Sequence, residues 1–136
     1  MNKKSAVEWL TIAYHDLSSA TILYNANHYT DSIGCDLQQA IEKSLKALLA
    51  FENSKIPKSH NLLEIHEYIK EKLLILDEEL YLLARGTTYL KEDRYPNPNY
   101  SLPSREEIKE VLDFTQKLFD NVCDKLSIDK NEITNA

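Results

Sequence analysis

DSIGCDLQQAIEKSLKALLAFE spans residues 31–52 and decides the fold, because its apolar residues recur at the three- and four-residue steps of an α-helix. The pattern predicts a helix from about Asp31 to Glu52 with two apolar stripes. One stripe comprises Ile33, Leu37, Ala40, Ala47 and Phe51, and its neighbour comprises Ile41, Leu45 and Leu48. A helix that is apolar over so wide an arc must be covered on more than one side. We therefore expect it to contact its own bundle and a second copy of the chain.

The sequence before this stretch predicts a partner helix. Apolar residues alternate steps of four and three from Ala6 to Tyr24, behind a capping box formed by Ser5 and Glu8. The whole chain of 136 residues contains 2 glycines and 4 prolines, so little interrupts the periodic segments. This composition favours long helices.

Three later segments also begin with helix-capping residues, namely Asn61, Asp77 and Ser104. Apolar residues at helical spacing follow each of them, and the proline-containing stretch 92–103 is predicted to be the one long loop. The predicted fold is an all-α, up-and-down bundle of four long helices plus one short helix. We expect residues 1–126 to form a single domain and residues 127–136 to form a frayed, polar tail.

Charge and composition exclude several classes of protein. The formal net charge of -6 at pH 7 argues against general binding of duplex DNA, which depends on neutralising many phosphates. No apolar run reaches the roughly 18 residues that a membrane-spanning helix needs. Cys35 and Cys123 lie within apolar helical patterns and lack metal-ligand spacing, so we expect reduced core thiols in a cytoplasmic protein.

Standard catalytic and metal-binding motifs are missing from the sequence. None of the four histidines has a glutamate three positions before it, as the Glu-x-x-His pairs of di-iron bundles require. The two glycines are isolated, and no Gly-x-Ser-x-Gly stretch occurs. We therefore predict neither a metal site nor a cofactor.

The polar residues of the predicted second helix follow two lines. Gln38 and Glu42 share one line, and Gln39, Lys43 and Lys46 share another, at three-, four- or seven-residue spacing. A solvated face with a weak Glu42–Lys46 pair would explain this pattern. Spacing alone favours this explanation, and a binding surface is the alternative.

Three sequence elements resemble the HEPN domain family. The first is the run Gln-Gln-Ala-x-Glu-Lys-x-Leu-Lys-Ala-Leu-Leu at residues 38–49, preceded by Trp-Leu at 9–10, Asp-Leu at 16–17 and Tyr-x-Asp-Ser at 29–32. Pro-Lys-Ser-His-Asn-Leu at 57–62 resembles that family's Pro-x-Thr-His-Asp-Leu segment, and Arg-Tyr-Pro at 94–96 matches its Arg-Tyr-Pro element. The elements occur in the family's order and cover about residues 6 to 120.

The resemblance implies a homodimer of helical bundles that binds a nucleotide or RNA. Many relatives are encoded beside a minimal nucleotidyltransferase and form toxin-antitoxin pairs with it, in which the HEPN protein is a ribonuclease. Those ribonucleases use an arginine followed by a histidine after four to six residues. After Arg94 the corresponding positions hold Asn99, Tyr100 and Ser101, so this sequence departs from the pattern. Neither Asn nor Tyr can replace imidazole as a base near neutral pH, so we expect no ribonuclease activity of the usual type.

The predicted ligand-binding residues are Gln39, Lys43, Lys46, His60, Arg94 and Tyr95. A guanidinium suits bidentate phosphate binding, and nearby tyrosines offer faces on which a base stacks. Two alternatives remain open for the function. One is a metal-independent ribonuclease toxin using Arg94 with His60, and the other is a structural interaction bundle. His60 also fits a simple capping contact to the third helix, and Arg94 fits an exposed loop charge.

Overall fold

The computed structural model describes residues 1–89 and 102–134, and within these ranges the chain forms six α-helices. They are α1 (Lys3–Asn25), α2 (Thr30–Phe51), α3 (Leu62–Ile69), α4 (Asp77–Thr87), α5 (Arg105–Lys125) and α6 (Asn131–Thr134). The predicted all-α bundle is confirmed. None of the helices in these two ranges is long and apolar enough to cross a membrane. Arg94 and Tyr95 lie outside the described residues.

The first two helices form an antiparallel hairpin. The backbone N–H of Asn2, just before α1, donates to the carbonyl of Phe51 at the end of α2 over 2.7 Å. The α1 seam consists of Ala6, Leu10, Ala13, Leu17 and Ala20, each at most 2% exposed. Because three of these five side chains are single methyl groups, α1 and α2 can approach closely along their length.

The fifth helix packs against both members of this hairpin. Arg105, the first residue of α5, donates from Nη2 to the Tyr24 carbonyl at 2.9 Å and from Nη1 to the His28 carbonyl at 3.2 Å. Its guanidinium also lies over the Tyr24 ring, with Cζ 4.6 Å from the centroid. These contacts place the start of α5 at the end of α1. Helix α5 therefore runs antiparallel to α1 and in the same direction as α2.

Two short helices, α3 and α4, occupy the remaining side of α2. They have 8 and 11 residues, whereas α1, α2 and α5 have 23, 22 and 21, so the described residues contain three long helices rather than four. Helix α3 ends early because the chain turns at Ile69, whose carbonyl accepts from the Lys72 N–H at 2.8 Å. At Gly86 of α4 a Cβ would lie 2.9 Å from Cδ1 of Leu62. Helix α4 therefore packs closely against the start of α3 at this glycine.

Helix α2 is the centre of the bundle and is buried along both predicted stripes. Seven of the eight stripe residues are at most 2% exposed, namely Ile33, Leu37, Ala40, Ala47, Ile41, Leu45 and Leu48. The hairpin partner α1, together with α3, α4 and α5, supplies this cover. Since one chain buries both stripes, the apolar surface of α2 no longer argues for a second copy.

The start of α1 differs from the prediction. Asn2 is the N-cap, and its Oδ1 accepts from the backbone N–H of Ser5 at 3.0 Å. The predicted capping box of Ser5 and Glu8 is therefore wrong, because the helix already begins at Lys3. Asn and Ser are comparable N-caps, so two candidates three residues apart could not be ranked by residue type.

The other predicted helix starts are close to those observed. Asn61 and Ser104 are N-caps whose side chains accept from backbone N–H groups of the first turn, as predicted. Asp77 is the first residue of α4 rather than its cap, and the N-cap position holds Leu76. Leucine cannot accept a hydrogen bond, so the side chain of Glu79 compensates by accepting from the Leu76 N–H at 3.1 Å.

The segment after residue 126 packs against the bundle, contrary to the predicted frayed tail. Ile128 is 4% exposed and Ile133, in α6, is fully buried. Lys3 of α1 donates to Glu132 at 3.0 Å. The two isoleucines are isolated among polar residues in the sequence, so helical periodicity did not reveal their burial.

Candidate functional site

Three polar side chains form a buried row on α2. Gln38, Glu42 and Lys46 follow one another at four-residue spacing and are 0%, 4% and 4% exposed. Lys46 Nζ donates to Glu42 Oε2 at 3.0 Å. The interpretation of these residues as a solvated face is therefore wrong. The expected Glu42–Lys46 pair exists, but it lies inside the protein.

The connection between α2 and α3 brings His60 to this row. His60 Nδ1 lies 2.9 Å from Glu42 Oε1. Gln38 ties the same connection to α2, because its Nε2 donates to Glu42 Oε1 at 3.0 Å and to the His60 carbonyl at 3.2 Å. The next residue, Asn61, caps α3, so the imidazole is held between two helices. The alternative role of the His60 ring as a capping contact is not what the structure shows.

The Glu42 carboxylate is charged despite its burial. Desolvation acts to raise its pKa, but hydrogen bonds from His60, Lys46 and Gln38 and the charge of Lys46 together lower the pKa below the ordinary value. A carboxylate that receives several hydrogen bonds inside a protein is stabilised in its ionised form. Glu42 is thus an acceptor-only group at the centre of the row.

Lys46 contacts both α1 and Glu42. Its Nζ lies 5.9 Å from the centroid of the Trp9 ring on α1, within the range of a cation–π contact. The ammonium is thus held between an aromatic face and the Glu42 carboxylate. His60 differs, since 51% of its side chain is exposed. The buried row therefore reaches the protein surface through the His60 imidazole, which contacts Glu42.

The predicted binding residues divide into two groups within the described part of the chain. Gln39, Lys46 and His60 belong to the row or touch it, since Gln39 Nε2 donates to Gln38 Oε1 at 2.6 Å. Lys43 does not join these hydrogen bonds; its Nζ pairs with Asp16 of α1 at 2.9 Å. Lys43 and Lys46 are thus each neutralised by a carboxylate.

Comparison with known proteins assigns the chain to a family. A sequence model of the HEPN domain matches residues 6–126. The chain belongs to the HEPN domain family. Among solved structures, the protein TT1696 from Thermus thermophilus is similar to this HEPN domain, with 26% sequence identity and a TM-score of 0.75, over 92% of this chain and 99% of that one.

A second solved structure, ST0689, described as an archaeal HEPN homologue, shares the fold of this HEPN domain. The TM-score is 0.68 at 17% sequence identity, over 89% of this chain and 97% of that one. No curated protein matches the chain. The HEPN resemblance of the sequence motifs is confirmed.

Two members of the buried row, Gln38 and Glu42, were absent from the residues predicted to bind ligand. Their four-residue spacing placed them on one line of α2, but polar residue types suggested exposure. The missing information was the position of His60, which is 18 residues from Glu42 in the chain and 2.9 Å from it in the fold. Only the tertiary structure of the HEPN domain brings them together.

A second polar cluster joins α4 to α5. Arg85 donates from Nη2 to Glu107 Oε1 at 2.6 Å, and Tyr89 donates from its hydroxyl to the other Glu107 oxygen. Tyr89 is only 3% exposed, and its ring packs against Gly34 of α2. It is therefore not an exposed face on which a base could stack. Its role in the HEPN domain is packing.

The described residues offer no obvious metal site. Within residues 1–89 and 102–134, no three His, Cys, Asp or Glu side chains converge as metal ligands. Cys123 is enclosed in the core, and burial raises the pKa of its thiol to about 11. At neutral pH this cysteine is a protonated, apolar side chain.

Proposed function

We propose that this HEPN domain binds a nucleotide or an RNA segment at the surface around His60. The observation that carries the proposal is the buried Glu42–Lys46 ion pair, whose carboxylate contacts the half-exposed imidazole of His60. A buried ion pair seldom stabilises a fold more than apolar side chains of similar volume would. Its position directly behind an exposed histidine favours a role in holding that histidine for a ligand.

The surroundings of His60 suit an anionic ligand that also carries hydroxyl groups. The outward nitrogen of an imidazole accepts from a hydroxyl when the ring is neutral and donates to a phosphate when it is protonated. Lys55 and Lys58, on the connection between α2 and α3, are exposed and add positive charge to this side of an acidic protein. We propose that Gln39, Lys46 and His60 form or support the site, and that Arg94 and Tyr95 complete it with a phosphate-binding guanidinium and a stacking ring.

The proposal includes two protein partners that the family resemblance implies. One is a second copy of the chain, and the other is a separate minimal nucleotidyltransferase in a toxin-antitoxin-type pair. Light scattering coupled to gel filtration tests the first, with twice the monomer mass of 15.7 kDa as the expected result. An adjacent gene with a nucleotidyltransferase signature, followed by copurification of the two products, tests the second.

Direct titration tests ligand binding. ATP and a short single-stranded RNA are titrated into the wild-type protein and into His60→Ala and Arg94→Ala variants. Loss of a hydrogen bond to a charged group costs about 1.5–3 kcal/mol, so each substitution should weaken binding roughly tenfold or more. Lys117→Ala is the matched control, because it removes the charge of an exposed lysine on α5 that pairs with Glu79 of α4.

The outcomes separate binding from a purely structural role. Binding by the wild type that is weakened by His60→Ala, with Lys117→Ala unchanged, supports the proposed site. If the wild type binds neither ATP nor RNA, the HEPN domain is a structural interaction module instead. If Lys117→Ala weakens binding as much as His60→Ala does, the attraction is diffuse and the His60 site is wrong.

A metal-independent ribonuclease is the second candidate function, and the contact between His60 and Glu42 favours it. A histidine backed by a carboxylate is a common general base. RNA cleavage needs a base that takes the proton of a 2'-hydroxyl as its oxygen attacks the adjacent phosphorus. The bond from phosphorus to the 5'-oxygen of the next nucleotide breaks, and that oxygen takes up a proton from solvent. Incubation with mixed RNA in the presence of EDTA tests this. Cleavage that persists in EDTA and disappears in both His60→Ala and Arg94→Ala would replace the noncatalytic proposal. Cleavage that survives in both variants would come from a contaminating nuclease.

A further inference from the structure

The hydrogen bonds around Glu42 are directional and determine one another. Glu42 Oε1 receives Gln38 Nε2 at 3.0 Å and faces His60 Nδ1 at 2.9 Å, while Oε2 receives Lys46 Nζ at 3.0 Å. An ionised carboxylate has no proton to donate. Each atom that approaches Glu42 must therefore bring a hydrogen of its own, including Nδ1 of His60.

The amide of Gln38 has a single orientation that satisfies its neighbours. Its NH₂ group donates both hydrogens, to Glu42 Oε1 and to the His60 carbonyl, and its Oε1 accepts from Gln39 Nε2. Rotating the amide by half a turn would place its oxygen against two other acceptors. Since Gln38 is fully buried, no solvent would relieve that repulsion. The amide thus holds both the carboxylate and the backbone of the histidine.

From this geometry we infer that Glu42 is a positioning residue, which holds neutral His60 in the tautomer with hydrogen on Nδ1 and a free acceptor on Nε2. In water a neutral imidazole exchanges between its two tautomers. In a protein, the hydrogen-bond partner of one ring nitrogen determines which tautomer is populated. Here the inward nitrogen faces the carboxylate, and half of the side chain is exposed. The outward nitrogen of the neutral ring is consequently an acceptor, suited to a hydroxyl of a ligand rather than to another carbonyl. This consequence for ligand choice rests on the proposed function, whereas the tautomer itself does not.

Nitrogen-15 NMR of the histidine rings, without ligand and at alkaline pH, tests the inference. The full-length protein is labelled on its histidines, and the His60 signals are assigned by their loss in His60→Asn. The expected wild-type spectrum shows a protonated-type shift at Nδ1 and an unprotonated-type shift at Nε2. An Nε2-protonated ring in the wild type would overturn the inference.

Two variants test the role of Glu42 itself. Glu42→Gln removes the charge that requires a donor, and Glu42→Gln combined with Lys46→Met also removes the lysine that would otherwise be buried without its partner. The second variant keeps the test decisive if the first fails to fold. In either folded variant we expect a mixed population of His60 tautomers. A His60 ring that keeps only its Nδ1 proton in the double variant would show that Glu42 does not position it.

A control and a separate readout complete the test. Lys43 lies on α2, as Glu42 does. Lys43→Met removes its ion pair to Asp16 of α1 and should leave the His60 spectrum unchanged. A change equal to that of the double variant would indicate a general disturbance of α2 and would overturn the specific role of Glu42. Because no nucleotide or RNA is present, failure of this test is independent of failure of the proposed function, which the titrations measure separately.

Discussion

Replacing Glu42 by glutamine should destabilise the bundle far more than replacing an exposed acidic residue. Glutamine has almost the same volume, so the substitution leaves no cavity. It removes the charge that neutralises Lys46, whose side chain is only 6% exposed and whose Nζ lies 3.0 Å from the carboxylate. The ammonium then remains in the interior with the Trp9 face as a weaker partner.

The size of the effect follows from this unpaired charge. Removing one partner of a buried ion pair costs about 3–5 kcal/mol. Glutamine can still exchange hydrogen bonds with Gln38 and His60, which favours the lower end, about 3 kcal/mol. In Glu42→Gln with Lys46→Met no buried charge remains, so the double variant should be more stable than the sum of the single changes predicts, by roughly 2 kcal/mol.

Urea unfolding followed by circular dichroism measures these differences at equilibrium. The matched control is Glu132→Gln, because Glu132 and Lys3 also lie 3.0 Å apart but are 42% and 52% exposed. That control should change the free energy of unfolding by less than about 1 kcal/mol. An effect of Glu42→Gln no larger than that of the control would refute the interpretation of a buried, charged Glu42. The interpretation would also be refuted if the free-energy changes of Glu42→Gln and Lys46→Met simply added up in the double variant.

The same variant has a predictable pH dependence. Folding lowers the pKa of Glu42 below its ordinary value of 4.5, because the cost of burial is outweighed by its hydrogen bonds and the Lys46 charge. A lowered pKa in the folded state means that Glu42 contributes its stability above the unfolded value and loses it as pH falls through the folded value. The difference between wild type and Glu42→Gln should therefore be constant from neutral pH down to about pH 5 and should shrink below it. A difference that grows on acidification would show that the direction of the shift is wrong.

Three further predictions test other parts of the fold. Gly34→Ala should destabilise the protein by about 1–2 kcal/mol, because the new methyl would lie 2.9 Å from Cγ of Tyr89. Gly86→Ala should be nearly neutral in the same urea assay, because its methyl would meet the flexible end of Leu62 at 2.9 Å and Cδ1 of Ile41 at an ordinary 3.5 Å. Deleting residues 127–136 should lower the free energy of unfolding by about 2–5 kcal/mol, because two buried isoleucines are lost. An unchanged unfolding midpoint would instead support the prediction of a frayed tail. Cys123 should resist a thiol reagent in the native protein and react after denaturation, since burial raises its pKa to about 11; rapid native labelling at this position would contradict its burial.

The parts of the fold that depend on periodicity could be predicted from the sequence. The α1 seam from Ala6 to Ala20 and both stripes of α2 are buried as their spacing indicated. These patterns are local, and a helix displays its buried face within a few turns. The early end of α3 at Ile69 could not be predicted in this way, because no strong breaker residue announces the turn there.

The candidate site could be predicted only in part, because it combines local spacing with a long-range contact. Lys46 and His60 were recognised through motif resemblance, but their connection runs through Glu42, a residue type that is seldom buried. Pairing is what makes such burial possible, and pairing with a residue 18 positions away is invisible to helical spacing. The ligand-binding residues predicted at Arg94 and Tyr95 lie outside the described part of the chain.

Glu42 could influence the proposed nucleotide in two ways, by neutralising Lys46 or by orienting His60. If the carboxylate acts mainly through charge, Glu42→Gln unmasks Lys46 and should tighten binding of any phosphate, more strongly at low salt. If it acts mainly by orienting His60, the same change should weaken binding of ligands that offer a hydroxyl and leave simple phosphates unaffected. The two effects have opposite signs on a ribonucleotide. Comparing inorganic phosphate with ATP across the wild type and Glu42→Gln therefore separates attraction from orientation, even though both arise from one carboxylate.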